Sequence, residues 1–294
     1  MRPLCLVAIL VGFHVTAIAA DQMDNPRPGY LSGGGSEYKP GVTFRVLPAV
    51  IMGRDDRNDA AAKNTGSKYR GVGYVQCDDN KAATASLIYD SRAILTVAHF
   101  FFTNTGESIH DLSGCWFYIT DDGGYVLEQS KIVSVLAYGK RDVSNYFGRH
   151  KDMLVAKLQK TIQLADAFAI TPYKPAINEP VRICSYSDDL PDNTIKRCVL
   201  GRIRNFGNES VSADNSMVVL HDANVQHASS GAPLFSLTHD KVIYGMHNSV
   251  MPPDENGNCG KEDCPRYDVN QRFNEATFFT DEFIDFVKSY LGAK

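Results

Sequence analysis

The sequence has little of what identifies metal-binding, nucleic-acid-binding or membrane-spanning proteins. Its 294 residues include seven cysteines and eight histidines, but these form no CxxC, HxxxH or HExxH spacing, so no metal site is expected. The 30 Lys and Arg residues are dispersed and the net charge is −4, which leaves no basic stripe for nucleic acid. No segment after residue 20 is apolar enough to span a membrane. The chemistry is therefore expected to come from side chains alone, with no cofactor.

Residues 1–20 have the pattern of a secretory signal peptide. A charged start is followed by an apolar run at residues 4–11 and by small residues before a cleavage point near Ala19 or Ala20. A membrane anchor is the alternative, but the apolar run is short and His14 interrupts it. We expect an exported protein, either extracellular or periplasmic.

A stretch rich in Gly, Pro and Ser follows the signal. Residues 21–49 bury little apolar surface, as the runs at 26–29 and 32–36 show, and they predict a flexible leader or pro-segment. The globular part is expected to begin near Val50 and to extend to residue 294. Cleavage ahead of Val50 or Ile51 would remove the leader, as in a zymogen.

Six cysteines remain once Cys5 leaves with the signal. An even number in an exported chain favours three disulfides over reactive thiols, although the sequence alone allows fifteen pairings. Two pairs would close short loops, one of them around a turn-rich hairpin, and the third pair is the remainder. The favoured pairs are Cys259 with Cys264, Cys184 with Cys198, and Cys77 with Cys115.

Short runs rich in β-formers, separated by turn residues, dominate the globular part. This spacing predicts an all-β protein of antiparallel barrels rather than βαβ units. The runs are 71–75, 84–89, 93–97, 115–119, 131–136, 153–158, 181–184, 217–220 and 241–245.

The C-terminal end has a different pattern. Thr280 and Asp281 provide an N-cap, and apolar residues recur at helical spacing from Phe283 to Leu291, before Gly292. We expect one amphipathic helix whose apolar stripe packs on the core.

Three residues could form a nucleophilic triad in the order His99, Asp152, Ser230. Ser230 lies among small residues at 227–233, a composition that exposes a hydroxyl beside free backbone N–H groups. Asp121 and Asp142 also lie between the histidine and the serine. Asp152 is favoured because it leads directly into an apolar run, which would bury the carboxylate where an imidazole can pair with it.

Four segments are similar to motifs of the chymotrypsin-fold serine proteases (family S1). They are LTVAH at 95–99, DMLVAKL at 152–158, SSGAPL at 229–234, and VIMGRDDR at 50–57, which resembles the mature N-terminus of the bacterial glutamyl-endopeptidase-like branch. The resemblance is closest to that branch and covers residues 50–294. It implies two packed six-stranded antiparallel β-barrels, with a boundary near residues 165–180, and a C-terminal α-helix.

The implied activity is that of a secreted, trypsin-like serine endopeptidase that hydrolyses peptide bonds through an acyl-enzyme on Ser230. His99 would be the general base, Asp152 would orient it, and the N–H groups of Ala228 and Ser230 would form the oxyanion hole. The chain departs from the family at two positions: Ala228 replaces a glycine, and Ser229 replaces the Asp that pairs with a new N-terminus in trypsin-like enzymes. Trypsin-style activation by that pair is therefore not expected.

Substrate selection is predicted to involve three residues. His247 falls where glutamyl endopeptidases place a histidine against the carboxylate of the P1 residue, the residue before the cleaved bond. Asn224 gives the base of the pocket no charge, and Val225 stands where that branch usually has a hydroxyl residue. An acidic P1 preference and an ordinary packed strand histidine both remain open for His247.

Other functions compete with this prediction. A catalytically inactive homologue that acts as a binding module is the first alternative, suggested by Ala228 and Ser229. An esterase or lipase is disfavoured because no GxSxG elbow surrounds Ser230, and an HtrA-like protease because too little chain follows the barrels. We expect a monomer acting on protein or peptide substrates.

Overall fold

The computed structural model of the protein describes nine stretches of the chain. The predicted signal, the leader, Asp142, and the pair Cys259 and Cys264 lie outside the described residues. The described stretches are 68–78, 81–103, 105–139, 151–187, 194–206, 217–225, 228–237, 242–250 and 273–292.

Six antiparallel strands close into the first barrel. In spatial order they run β1-β2-β3-β6-β5-β4, and β4 pairs back with β1. Gly73 allows β1 to cross β4 closely, because a Cβ at this position would lie 2.2 Å from the Tyr118 carbonyl oxygen. The strands are β1 Val72–Gln76, β2 Ala82–Ile88, β3 Ala93–Thr96, β4 Trp116–Thr120, β5 Val126–Ala137 and β6 Leu154–Leu158.

A second barrel follows after a connection that contains the short strand β7, Ala169–Ile170. Its spatial order is β11-β8-β9-β10-β13-β12, closed by pairing of β12 with β11, and β7 adds to β12 in parallel. Its strands are β8 Pro180–Ser185, β9 Arg197–Phe206, β10 Val218–His221, β11 Pro233–Ser236, β12 Val242–Val250 and β13 Asn274–Phe278.

The all-β prediction of two six-stranded antiparallel barrels is confirmed. The sequence pattern did not reveal β7, β9, β11 or β13. Strand β13 is fully buried although it contains Asn274, Glu275 and Thr277, so its composition does not show that it is a central strand. A polar sequence of this kind forms a central strand only because its backbone pairs on both sides, with β10 and with β12.

The C-terminal helix is also confirmed. Helix α1, Asp281–Leu291, begins where the Thr280 hydroxyl accepts the N–H of Phe283 at 3.3 Å. It ends at Gly292, whose φ of 71° is the left-handed conformation that favours glycine. Its buried side chains, Phe283, Ile284 and Val287, belong to the hydrophobic core that also contains the first barrel.

Two disulfides match two of the favoured pairings. Cys77–Cys115 joins the end of β1 to the start of β4, and Cys184–Cys198 joins directly opposed residues of β8 and β9. Within the described stretches, no helix is both long and apolar enough to cross a membrane.

Buried polar contacts connect the two barrels. Tyr186, which follows β8, places its hydroxyl 3.0 Å from Thr120 Oγ1 and donates to the Val72 carbonyl at 3.3 Å. Lys196 Nζ donates to the carbonyls of Tyr69 at 2.8 Å and Val72 at 3.3 Å. Burial lowers the pKa of Lys196 to about 8 and raises the pKa of Tyr186.

Candidate active site

His99 and Asp152 meet at one edge of the first barrel. His99 lies in a 3₁₀ turn, Ala98–Phe100, just after β3, and Asp152 lies just before β6. Strands β3 and β6 are antiparallel partners, with Thr96 opposite Leu154, so the segment that leaves one strand faces the segment that enters the other. The pairing of the strands therefore brings these two side chains together.

The Asp152 carboxylate makes two hydrogen bonds to His99. Oδ2 lies 2.6 Å from the ring atom Nδ1, and Oδ1 accepts the backbone N–H of His99 at 2.8 Å. Asp152 is 1% exposed and the His99 side chain 20%. Since a carboxylate accepts only, the neutral imidazole would carry its proton on Nδ1 and leave Nε2 as an acceptor, the tautomer that a general base requires.

The competing aspartate, Asp121, stabilises a hairpin instead. It lies in the hairpin between β4 and β5, where Oδ1 accepts the N–H groups of Gly123 and Tyr125, both at 2.9 Å. Of the two candidate aspartates that the structure describes, only Asp152 contacts His99.

Ser230 lies in a tight turn that packs against the first barrel. Ala228 has a φ of 65° and Gly231 a φ of 90°. A Cβ on Gly231 would come within 2.0 Å of the Thr84 carbonyl and 2.6 Å of Thr96 Oγ1, so only glycine fits this approach. Because Thr96 is three residues before His99, the contact places the serine turn beside the histidine.

The Ser230 hydroxyl donates to the carbonyl of Asn248, at 3.4 Å. Within the described part of the chain it makes no hydrogen bond to His99. The N–H groups of Ala228 and Ser230 also have no hydrogen-bond acceptor among the described residues, and both residues are partly exposed. Two unused donors beside an accessible hydroxyl can bind an oxyanion.

A buried pair of histidines lies inside the second barrel. His221 Nε2 is 3.2 Å from His247 Nδ1, and both side chains are fully buried. The two residues stand on β10 and β12, on either side of β13, and Ala276 is the register partner of His247. The two rings therefore meet across β13, with their centroids 5.3 Å apart.

Both histidines are uncharged at neutral pH. Burial is the main reason that the pKa of His247 is lowered to about 3; a hydrogen bond with the Glu275 backbone opposes the shift and the nearby His99 adds to it. Burial and the neighbouring His247 hold the pKa of His221 well below its usual value.

The remaining predicted pocket residues lie just before the serine turn. Asn224 is 6% exposed, and Val225 is fully buried within a hydrophobic cluster of the second barrel. No group of three or more His, Cys, Asp or Glu residues in the described stretches could hold a metal ion.

Sequence reasoning missed the roles of His221 and Thr84. His221 ends an apolar strand, and a histidine at that point was the available signal, but its partner comes from another strand. Thr84 lies in the first barrel, and nothing in its sequence context indicates that it contacts the serine turn.

Comparisons with known proteins show the fold only. No family model and no curated protein matches the chain. A Glu endopeptidase solved in complex with MPD superposes with a TM-score of 0.57 at 14% identity, covering 77% of this chain and 94% of that one.

Two further solved structures match in the same way. A thermostable serine protease, AL20, from an extremophilic microorganism gives a TM-score of 0.52 at 13% identity, covering 74% of this chain and 95% of that one. A scabies mite inactivated protease paralogue, S-I1, gives 0.53 at 11% identity, covering 78% and 99%. The chain therefore has the fold of the chymotrypsin-like serine proteases.

Proposed function

We propose that the protein is a serine endopeptidase that cleaves peptide bonds through an acyl-enzyme on Ser230. The observation that supports this most is the pair of hydrogen bonds that Asp152 accepts from His99, next to a serine turn with two unused N–H groups. His99 Nε2 takes the proton of the Ser230 hydroxyl as it attacks the carbonyl carbon, and returns it to the leaving amine. Water then releases the acyl group.

The oxyanion of the tetrahedral intermediate is stabilised by the N–H groups of Ala228 and Ser230. Each such donor contributes on the order of 3 kcal/mol to the transition state in proteases of this mechanism. The peptide unit between Ser229 and Ser230 is held by the N–H of Ala232, which donates to the Ser229 carbonyl at 2.9 Å. This bond supports the direction of the Ser230 N–H.

The test is covalent labelling of the secreted protein with a fluorophosphonate, with the site located by mass spectrometry. We expect one adduct on Ser230, and loss of both labelling and peptide hydrolysis in Ser230→Ala. Ser229→Ala, at the neighbouring buried serine, is the matched control and should still be labelled. Unchanged peptide hydrolysis in Ser230→Ala would show that the mechanism is wrong.

An acidic P1 preference is the finer proposal, and the His221–His247 pair supports it. A substrate carboxylate that binds beside His247 would raise the pKa of this buried ring and draw a proton onto the pair. A polar site of this kind discriminates strongly, because the wrong substrate leaves buried polar groups unpaired. Asn224 and Val225 are proposed to contribute to the same pocket, without charge.

Three peptides that differ only at P1, with Glu, Gln or Lys, test the preference. We expect kcat/KM to be at least about tenfold higher for Glu than for Gln, and the difference to shrink in His247→Asn. Equal kcat/KM for the Glu and Gln peptides would show that His247 is only a packing residue.

An inactive homologue that acts as a binding module is the second candidate. One observation favours it: the Ser230 hydroxyl bonds to Asn248 rather than to His99. An inactivated paralogue is also among the solved structures of similar fold. A folded protein that is not labelled by fluorophosphonate would establish this alternative.

We also propose that the protein is exported, that its leader is removed, and that it is a monomer. The two disulfides support an extracellular or periplasmic location, because such bonds persist in oxidising compartments. N-terminal sequencing of secreted material is expected to find a start at Val50 or Ile51, and a fully active enzyme that starts at Asp21 would contradict it. Light scattering should give the mass of one chain.

A further inference from the structure

We propose that Thr84, in the first barrel, is a positioning residue for the reaction at Ser230 in the second. It would hold the serine turn in the conformation that points its N–H groups at the oxyanion. The inference rests on the proposed function and adds to it a residue outside the triad and the oxyanion hole.

Thr84 contacts the serine turn through three hydrogen bonds. Its backbone N–H lies 2.9 Å from the carbonyl oxygens of both Ala228 and Ser230, and its hydroxyl donates to the Ala228 carbonyl at 2.8 Å. Thr84 is fully buried, and its own carbonyl accepts from Thr96 Oγ1 at 2.8 Å. The anchor is therefore itself fixed within the first barrel.

Ala228 is the residue that needs an anchor. Its φ of 65° is a conformation that an L-residue with a Cβ disfavours, whereas glycine adopts it readily. The rotations at Ala228 set the directions of both its C=O and its N–H. The two hydrogen bonds that the Ala228 carbonyl accepts fix its direction. They therefore oppose a rotation of Ala228 to negative φ, which would point its N–H away from the oxyanion.

The hydroxyl of Thr84 is the part of this anchor that the side chain determines. It also accepts the N–H of Tyr186 at 3.1 Å, so it links β2, the serine turn and the segment after β8. A valine has the same shape without the hydroxyl, and a serine keeps the hydroxyl. These two substitutions separate the hydrogen bonds from the packing.

The first measurement compares kcat and KM of the variants on one peptide substrate. We expect Thr84→Val to lower kcat at least about tenfold with KM changed less than about twofold, and Thr84→Ser to stay close to the parent. Thr120→Val is the matched control, because it removes two hydroxyl contacts, to the Tyr186 side chain and the Thr194 carbonyl, and none to the turn. It should lower the Tm without lowering kcat.

The strain at Ala228 allows a second test, in which the loss of kcat from Thr84→Val is compared with and without the substitution Ala228→Gly. Ala228→Gly removes the penalty for positive φ, so the turn should keep its conformation better when the anchor is lost. We expect the loss from Thr84→Val to be about fivefold to tenfold smaller in the Ala228→Gly background. Equal losses in the two backgrounds would overturn the link between Thr84 and Ala228.

A crystal structure of Thr84→Val separates this inference from the proposed function. Ala228 is expected to leave the left-handed region, and this can be observed whether or not the protein hydrolyses peptides. If the unmodified protein does not react with fluorophosphonate, but Ala228 leaves the left-handed region in Thr84→Val, only the proposed function is contradicted. An active parent whose Thr84→Val variant keeps kcat and the φ of Ala228 would contradict only the role of Thr84.

Discussion

Replacement of Lys196 by Met should change how the stability of the protein depends on pH. Lys196 is 2% exposed between the barrels, and its ammonium group donates to two backbone carbonyls. Burial is the largest cause of its low pKa; the charge of Arg70 lowers it further and that of Asp122 opposes the shift. A lysine pKa that falls from 10.5 to about 8 on folding costs about 3 kcal/mol of stability at neutral pH.

The sign of the effect follows from proton binding. Between about pH 8 and pH 10.5 the unfolded chain holds this proton and the folded chain does not, so stability rises with pH across that window. Below pH 8 the full cost remains. From pH 7 to about pH 9.5 the group should contribute an increase of about 2 kcal/mol in the free energy of unfolding. Above that range tyrosines with raised pKa, such as Tyr186, act in the opposite direction.

Urea unfolding of the parent and of Lys196→Met at several pH values between 7 and 9.5 measures this contribution. Loss of two hydrogen bonds destabilises the variant, whereas loss of a buried charge stabilises it. The two effects oppose each other, so the stability of the variant at pH 7 should be close to that of the parent. The difference between the two proteins should shift by about 2 kcal/mol across the range. Parallel curves would refute the assignment of a low pKa to Lys196.

Three further outcomes are expected. Asp152→Asn should lower kcat by about 10⁴-fold in a peptide hydrolysis assay, because an amide cannot accept both the ring and the backbone N–H of His99; activity near the parent's would exclude the proposed orientation. Replacing Cys77 and Cys115 by Ala should lower the free energy of unfolding by about 4 kcal/mol, from the 38-residue separation, and an unchanged urea midpoint would contradict this. Stability should fall as the pH drops below about 6.5, since the unfolded chain protonates a histidine that the fold keeps neutral, and His247→Asn should flatten that limb in urea titrations.

Much of the architecture could be predicted from local sequence. The β-rich runs predicted most strands, and the Thr280 cap with Gly292 predicted the C-terminal helix, because these signals lie within a few residues of one another. Strand β13 could not be predicted in this way. Its polar residues are buried only because β10 and β12 pair with it, and those strands are distant in sequence.

In the candidate site, too, only the residues marked by local sequence patterns could be predicted. His99, Asp152 and Ser230 could be chosen because each is adjacent to a recognisable motif, and Ala228 because it replaces a glycine. Thr84 contacts the serine turn across 144 residues of sequence, and no local pattern indicates such a contact.

The proposed function requires that Ser230 is a nucleophile activated by His99. The most informative experiment is mass spectrometry of the purified protein after fluorophosphonate treatment, with His99→Ala as a second variant. We expect a single adduct on Ser230, absent in Ser230→Ala and formed much more slowly in His99→Ala. A folded parent protein that forms no adduct, or an adduct at another serine, would contradict it.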